Sequence, residues 1–342
     1  MTASQSFTSP VDLVVSGIGV VTPWADAPVA AVRGPRPQGP EDWFDHRERL
    51  GPRGYKYLPG ATQYFLAATR QALADAGEVR RDGDLADEQR RGAAVGTNSA
   101  AVALHESMDH TVIAEGANAL SPATAPYFSI NLFGSRLATE HALKAFNLTL
   151  TSPRVAGLEA LEAGARSVSA GRASWLLAGA TEEALPPAHP GAAAGERGAV
   201  ALVLEPAADL RTRGGRGYGR CRVRSFFLAP DGAASPQGPE RAGALIDRAL
   251  AGLGAPGGLG RFTGAGGRVV AVLDDSPVAA AVATALGPGA GQVAAGAGSL
   301  EPLLQVAGAL AELPGPVLVV TAAREGNLAL ALLTPTAARR AG

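Results

Sequence analysis

The sequence predicts an α/β fold in which largely parallel sheets are covered by helices. Short β-branched runs such as VVAVL (residues 269–273) and VLVVTA (residues 317–322) alternate with longer stretches of helical periodicity. Strand–helix units also recur in both halves. Residues 154–181 place a helix before WLLAGA, and residues 297–324 place a helix before VLVVTA at the same internal spacing. With 342 residues, 46% of them hydrophobic, the chain can bury a large core, as two compact halves or one large unit.

The elements run in order. Residues 11–21, VDLVVSGIGVV, read as a buried strand in which Gly17 and Gly19 mark a tight turn, closed by Pro23. The Pro/Gly-rich, charged stretch 34–60 is a surface excursion. Apolar positions at helical spacing run over 62–76 and stop at Gly77, a good helix terminator. A charged loop covers 80–91, a short strand GAAVG covers 92–96, and a helix covers 99–110. After a Pro-punctuated loop at 121–127, a helix spans 131–146 and leads into the strand 147–151. A small-residue helix over 155–170 ends at Gly171, and strands come next at 175–180 and 199–205, with a loop at 186–196 between them. The basic, glycine-rich segment 211–224 reads as a solvated loop or a strand edge. Helices at 242–252 and 278–286 flank the strand 269–273. Residues 292–310 give a strand end, a turn and a helix, and strands at 316–322 and 327–333 close the pattern.

Composition excludes several classes. A formal net charge of −1 gives no electrostatic reason to expect nucleic acid or an anionic membrane as partner. No run of about 18 apolar residues predicts a membrane span, and residues 1–15 lack the pattern of a signal peptide. The single cysteine, Cys221, excludes an intrachain disulfide and fits a reducing cytoplasm. It sits in GRCRVRSF, a strand pattern, where a thiol is buried and inert. His105 and His110 are too far apart to share a helical face as a ligand pair, and His141 and His189 have no evident Ser or Cys partner. No CxxC or HExxH spacing occurs, so neither a metal nor a cofactor is expected.

Several stretches, in order, resemble the β-ketoacyl synthase branch of the thiolase superfamily. VVSGIGVVTP is similar to that family's opening strand and turn. TSPRVAGLEALEAGARSVSAGRASWLLAGATEEA resembles its nucleophile elbow with the adjoining helix and strand. ERGAVALVLEPAADLRTRG resembles its strand and Arg-rich loop, and EGNLALALL its last strand. The resemblance implies a thiolase-like fold of two pseudo-duplicated halves in αβαβα layers, residues 11–198 and 199–336.

The departures from that family's pattern all fall on its chemistry. The cysteine slot holds Arg154, which is always protonated and cannot attack a thioester. The first histidine slot falls on Leu273 or Asp274. The lysine and second histidine slots hold Gln292 and Ala297. The segment between WLLAGATEEA and ERGAVALVLE is much shorter than the family's active-site insertion, and residues 322–326 replace its glycine-rich gate. Arg154, a cation at the positive end of a helix, calls for a carboxylate partner such as Glu159, Glu182 or Glu183, or for an interface contact.

These losses resemble those of a chain length factor, the ketosynthase-like subunit of a type II polyketide synthase. That resemblance implies a catalytic ketosynthase as heterodimer partner, contact with an acyl carrier protein through the complex, and cytoplasmic location. It places the pairing strand at Asn147, Leu148, Thr149, Leu150 and Thr151. It also directs Ser99, Val102, Ala103 and Glu106, one helical face, toward a tunnel that limits the product. The short connections resemble those of reducing, polyene-making systems. Two other readings are an active synthase and a stand-alone acyl-binding or regulatory protein of the same fold.

Overall fold

The computed structural model describes residues 11–33, 39–40, 42–77, 85–123 and 125–336. Among them, two five-stranded sheets share one plan. The first contains β1 (Leu13–Val21), β2 (Arg91–Gly96), β3 (Phe146–Leu150), β4 (Trp175–Glu182) and β5 (Gly198–Pro206), in the order β1-β5-β4-β2-β3. The second contains β6 (Arg220–Phe227), β7 (Arg268–Leu273), β8 (Gly291–Ala294), β9 (Val317–Ala322) and β10 (Asn327–Thr334), in the order β6-β10-β9-β7-β8. Strand directions match as well. The first two neighbour pairs of each sheet are antiparallel and the last two parallel. The internal repeat in the sequence is therefore a structural duplication.

The longer helices are α1 (Gly60–Ala76), α2 (Val102–Glu115), α3 (Asn131–Glu140), α4 (Ala156–Ser169), α5 (Gly238–Gly252), α6 (Pro277–Leu286) and α7 (Leu300–Glu312). Helices α4 and α7 lie between the two sheets; α1 covers the outer face of the first, and α5 and α6 cover that of the second. Period-two alternation sorts the strand residues into these layers. In β4, Leu176, Ala178 and Ala180 face the central helices, while Trp175 and Leu177 face α1. In β10, Ala329, Ala331 and Leu333 face inward, and Leu328, Leu330 and Leu332 face α5 and α6. No described helix is long and apolar enough to cross a membrane.

Several boundaries differ from the sequence expectation. The first sheet runs through Pro206, because β5 pairs with both β1 and β4, so the halves part after that residue and not at 198. The helix expected to reach 146 ends at Glu140, and Phe146 opens β3. The helix expected from 99 begins at Val102. Of the charged loop, 80–84 lies outside the described residues, while Arg91 opens β2, fully buried and ion-paired with Asp87 at 2.5 Å. In the excursion at 34–60, residues 34–38 and 41 lie outside the described residues. Trp43 and Phe44 of that stretch stack on Tyr64 of α1, with centroids 4.8 and 5.0 Å away. The basic segment divides into a short helix, Ala207–Thr212, and the edge strand β6.

Gly17 and Gly19 make no turn. Strand β1 continues through them with one register shift between Val15 and Gly17, and the glycines admit the α1 backbone. A Cβ at Gly17 would lie 2.0 Å from the Ala72 carbonyl oxygen, and one at Gly19 would lie 1.8 Å from that of Ala68. Substituting Gly19→Ala therefore forces the helix off the sheet. We expect a loss of about 3 kcal/mol in urea denaturation, as for an overpacked core. Unchanged stability would show that α1 is not seated on that strand.

Candidate functional site

Between the end of β3 and the start of α4 the chain makes a tight elbow. The Val155 amide bonds the Pro153 carbonyl at 2.7 Å, and the Ala156 amide bonds the Ser152 carbonyl at 3.2 Å. Arg154 at the apex has φ +62°, a left-handed conformation shared among non-glycine described residues with Ala142 alone. Such a conformation costs an L-residue about 1 kcal/mol. The next two residues hold it in place. Val155 and Ala156 are fully buried, and β2 passes so close that a Cβ on Gly96 would lie 2.2 Å from the Ala156 carbonyl carbon.

The Arg154 side chain crosses to the second half. Its Nη1 donates to Asp274 Oδ2 at 2.5 Å, and the two side chains are 14% and 13% exposed. The partner is thus neither Glu159 nor Glu182 nor Glu183. Asp274 comes directly after β7. It also accepts from the Ser276 amide at 3.0 Å, and Ser276 caps α6 through the Ala279 amide. Burial would raise the Asp274 carboxyl. The Ser276 hydrogen bonds and the Arg154 guanidinium outweigh that and hold it below its usual range. Asp274 also offsets the cost of a cation at the N-terminus of α4. The elbow and the residue after β7 are therefore joined by a largely enclosed ion pair.

Close by, Glu182 at the end of β4 is fully buried and binds both halves. It accepts from the amide and hydroxyl of Ser99, each at 2.7 Å, and from the Asn98 amide at 2.8 Å. It also accepts from the amide and hydroxyl of Ser299, each at 2.7 Å, at the start of α7. Glu196 lies behind it, accepting from the Leu300 and Glu301 amides at 3.1 and 2.8 Å. Burial, then the neighbouring Glu182 and Glu301 carboxylates, push the Glu196 carboxyl up from 4.5 to about 8. Gly296 and Gly298 leave room for it, since a Cβ on either would come within 2.5 Å of Glu196. Ala297 between them is held by its backbone: its amide bonds the Ala194 carbonyl at 2.7 Å and its carbonyl accepts from Asn98 Nδ2 at 3.2 Å. The sequence reading missed this carboxylate group. Its available signal was GAGS before α7, a run of small residues suited to close approach.

Other expected residues spread out. Ser99 lies outside α2, buried against Glu182, and so does not share a helical face with Val102. Val102 and Glu106 line an open groove of about 520 Å³ with His105, His110 and His189, while Ala103 is half-buried beside it. Gln292 is exposed on the edge strand β8. Asn147, Leu148, Thr149 and Leu150 lie on β3, the edge of the first sheet, and Thr151 lies just past it. Cys221 is buried in β6, and burial pushes its thiol up to about 12, the reverse of activation.

Comparison with known proteins fits this geometry. The family described as beta-ketoacyl synthase, N-terminal domain, matches residues 15–203, more than half of the chain. The chain belongs to the β-ketoacyl synthase family. Two curated relatives, both 3-oxoacyl-[acyl-carrier-protein] synthase 2, are 27% identical (Vibrio cholerae) and 26% identical (Vibrio harveyi) over 145 residues. That stretch is 42% of this chain and spans 34% of each relative's length. Among solved structures, a type II polyketide synthase acyl-carrier protein in complex with its ketosynthase superposes with a TM-score of 0.73 at 17% identity, covering 96% of this chain and 100% of that one. The ishigamide ketosynthase/chain length factor gives 0.71 at 22% identity, covering 94% and 99%. These likenesses establish the thiolase-like ketosynthase fold.

The ion pair and Glu196 each set an expectation. Arg154→Met leaves the largely enclosed Asp274 carboxylate with the Ser276 amide but without its cation and should cost about 2 kcal/mol. Replacing both, Arg154→Met with Asp274→Leu, should recover most of that loss in urea titrations. Full stability of the single variant would remove the pair as a structural element. For Glu196, the unfolded chain ionises near 4.5 while the folded chain keeps its proton to about 8. The folded state then binds the extra proton, so stability should fall as pH rises through that window. Glu196→Gln should flatten the slope in thermal melts from pH 5 to 8.5; an identical slope would refute the assignment.

Proposed function

We propose that this protein is a chain length factor: it pairs with a catalytic ketosynthase and shapes the tunnel in which the partner's polyketide grows. The observation that carries the reading is the Arg154–Asp274 ion pair, which fills the nucleophile elbow and the slot after β7 with groups that satisfy each other. A guanidinium with its charge matched offers neither a nucleophile nor a free acid. On this reading, the activity in the relatives' name, synthase, belongs to the partner subunit.

Surface features favour a partner. The outer edge of β3 is unpaired among the described residues, and Leu148 on it is 36% exposed. Helix α2 buries none of its 14 residues, leaving Ile113 84% exposed. A sheet edge and an uncovered helix on one chain are what a related subunit would cover, continuing the sheet across a pseudo-twofold. Val102, Ala103 and Glu106 on α2 then face the partner's tunnel, and the acyl carrier protein reaches the complex through the ketosynthase. The ishigamide structure, a ketosynthase with its chain length factor, is a precedent for such a pair.

Co-expression with a catalytic ketosynthase tests the pairing: we expect a stable 1:1 complex. A self-sufficient homodimer would favour a stand-alone acyl-binding protein. Carbon dioxide release from malonyl carrier protein by this chain alone would favour an active synthase. Within the complex, Val102→Trp or Ala103→Trp should shorten the product without dissociating the pair. Unchanged product length would sink the tunnel assignment.

A further inference from the structure

A groove of about 1060 Å³ opens beside β6, between that strand, the C-terminal half of α4, the turn after α5 and the segment leading into β1. Leu13 and Leu253, both buried, line it together with Val11, Ala165 and Val223. Four guanidiniums border it, those of Arg166, Arg220, Arg222 and Arg224, against only two carboxylates, those of Asp12 and Glu162. A chain with a formal net charge of −1 thus gathers two surplus positive charges at one concave place.

Both carboxylates are already committed. Asp12 accepts from Arg220 Nε and Nη2 at 2.5 and 2.7 Å, and that contact holds its carboxyl below the usual range. Glu162 Oε2 accepts from the amide and hydroxyl of Ser225, at 2.8 and 2.5 Å. Its other oxygen, Oε1, lies 3.7 Å from Arg224 Nη1 and 4.0 Å from Arg166 Nη1, outside hydrogen-bond reach of both. Those two side chains, 56% and 76% exposed, come from β6 and α4 and converge on this one oxygen. Neither donates a hydrogen bond among the described residues. Arg222, also exposed, gives one N–H to the Leu253 carbonyl at 3.0 Å and has no carboxylate partner among the described ion pairs.

Arginine keeps its charge at any ordinary pH, and its planar fork of donors matches the oxygens of a phosphoryl group. A carboxylate ligand would neutralise one of the two surplus charges. A phosphate monoester, with nearly two negative charges at pH 7, matches both. The apolar lining suits an organic body attached to that phosphate. We propose that this groove binds a small organic phosphate monoester, with its phosphoryl group held by Arg166, Arg222 and Arg224 and its apolar body laid on Val223 and Leu253. The site is built on the second sheet and α4, away from β3 and α2, and stands independently of the chain-length reading.

The probe is phenyl phosphate, titrated into the full chain by isothermal calorimetry, with phenyl sulfate and inorganic phosphate as comparisons. We expect one saturable site whose affinity falls with added salt. Phenyl sulfate, with a single charge, and inorganic phosphate, without the ring, should each bind about tenfold more weakly. Arg166→Gln and Arg224→Gln should each weaken phenyl phosphate about tenfold, the worth of a charged hydrogen bond. Arg216→Gln removes an exposed arginine outside the groove and should leave binding unchanged. Absence of saturable binding overturns the proposal. An equal loss in Arg216→Gln also overturns it, since diffuse charge would then account for the contact. So does equal binding of phenyl sulfate or of inorganic phosphate, and this comparison among ligands does not depend on how any variant folds.

Discussion

Two helices, α4 and α7, lie flat between two sheets, and the spacing this requires governs the rest of the chain. A helix fits there only if small residues line its contacts. Gly164 meets the Leu176 side chain, where a Cβ would lie 2.4 Å away, and Gly157 faces Ala180 at 2.9 Å. The strands answer with alternating Ala, Leu and Val on their inner faces. At about 25 cal/mol per Å² of apolar surface removed from water, this doubly covered layer is the main source of stability. The abundance of Ala and Gly has the same origin: they let large layers approach closely.

Fixing the helix starts between the sheets also fixes the elbow before α4. Its left-handed apex is held by the packing around Val155 and Ala156, which are fully buried. A helix N-terminus at such an apex favours an anion. Arg154 reverses that charge, and Asp274, arriving from the other half, matches it. The elbow geometry is thus set by the packing below it, while the charge at its apex is set by a partner from the other half.

The strands, the central helices and the internal duplication were legible because period-two and helical patterns are local and doubly reinforced by burial. The misreadings share one cause. Gly17 and Gly19 look like turn residues in one dimension, and only the approach of α1 from far along the chain explains them. The division at 198 failed because β5 returns to the first sheet by long-range pairing. At the site, the turn carrying Arg154 was legible from its place between a strand and a small-residue helix. The partner of Arg154 was not, because Asp274 lies 120 positions away and several nearer glutamates were equally plausible. The place of Glu196 behind Glu182 left almost no local trace.

Glu182 belongs to the first sheet, yet its carboxylate is satisfied equally by Ser99 of its own half and Ser299 of the other. Neither repeat could be excised intact. The first alone would keep the bonds from Asn98 and Ser99 but lose those from Ser299, and the second alone would lose the acceptor at the start of its central helix. A unit that is double in plan is thus tied together by one shared carboxylate. Its two copies are free to diverge in detail only while they keep exchanging these bonds.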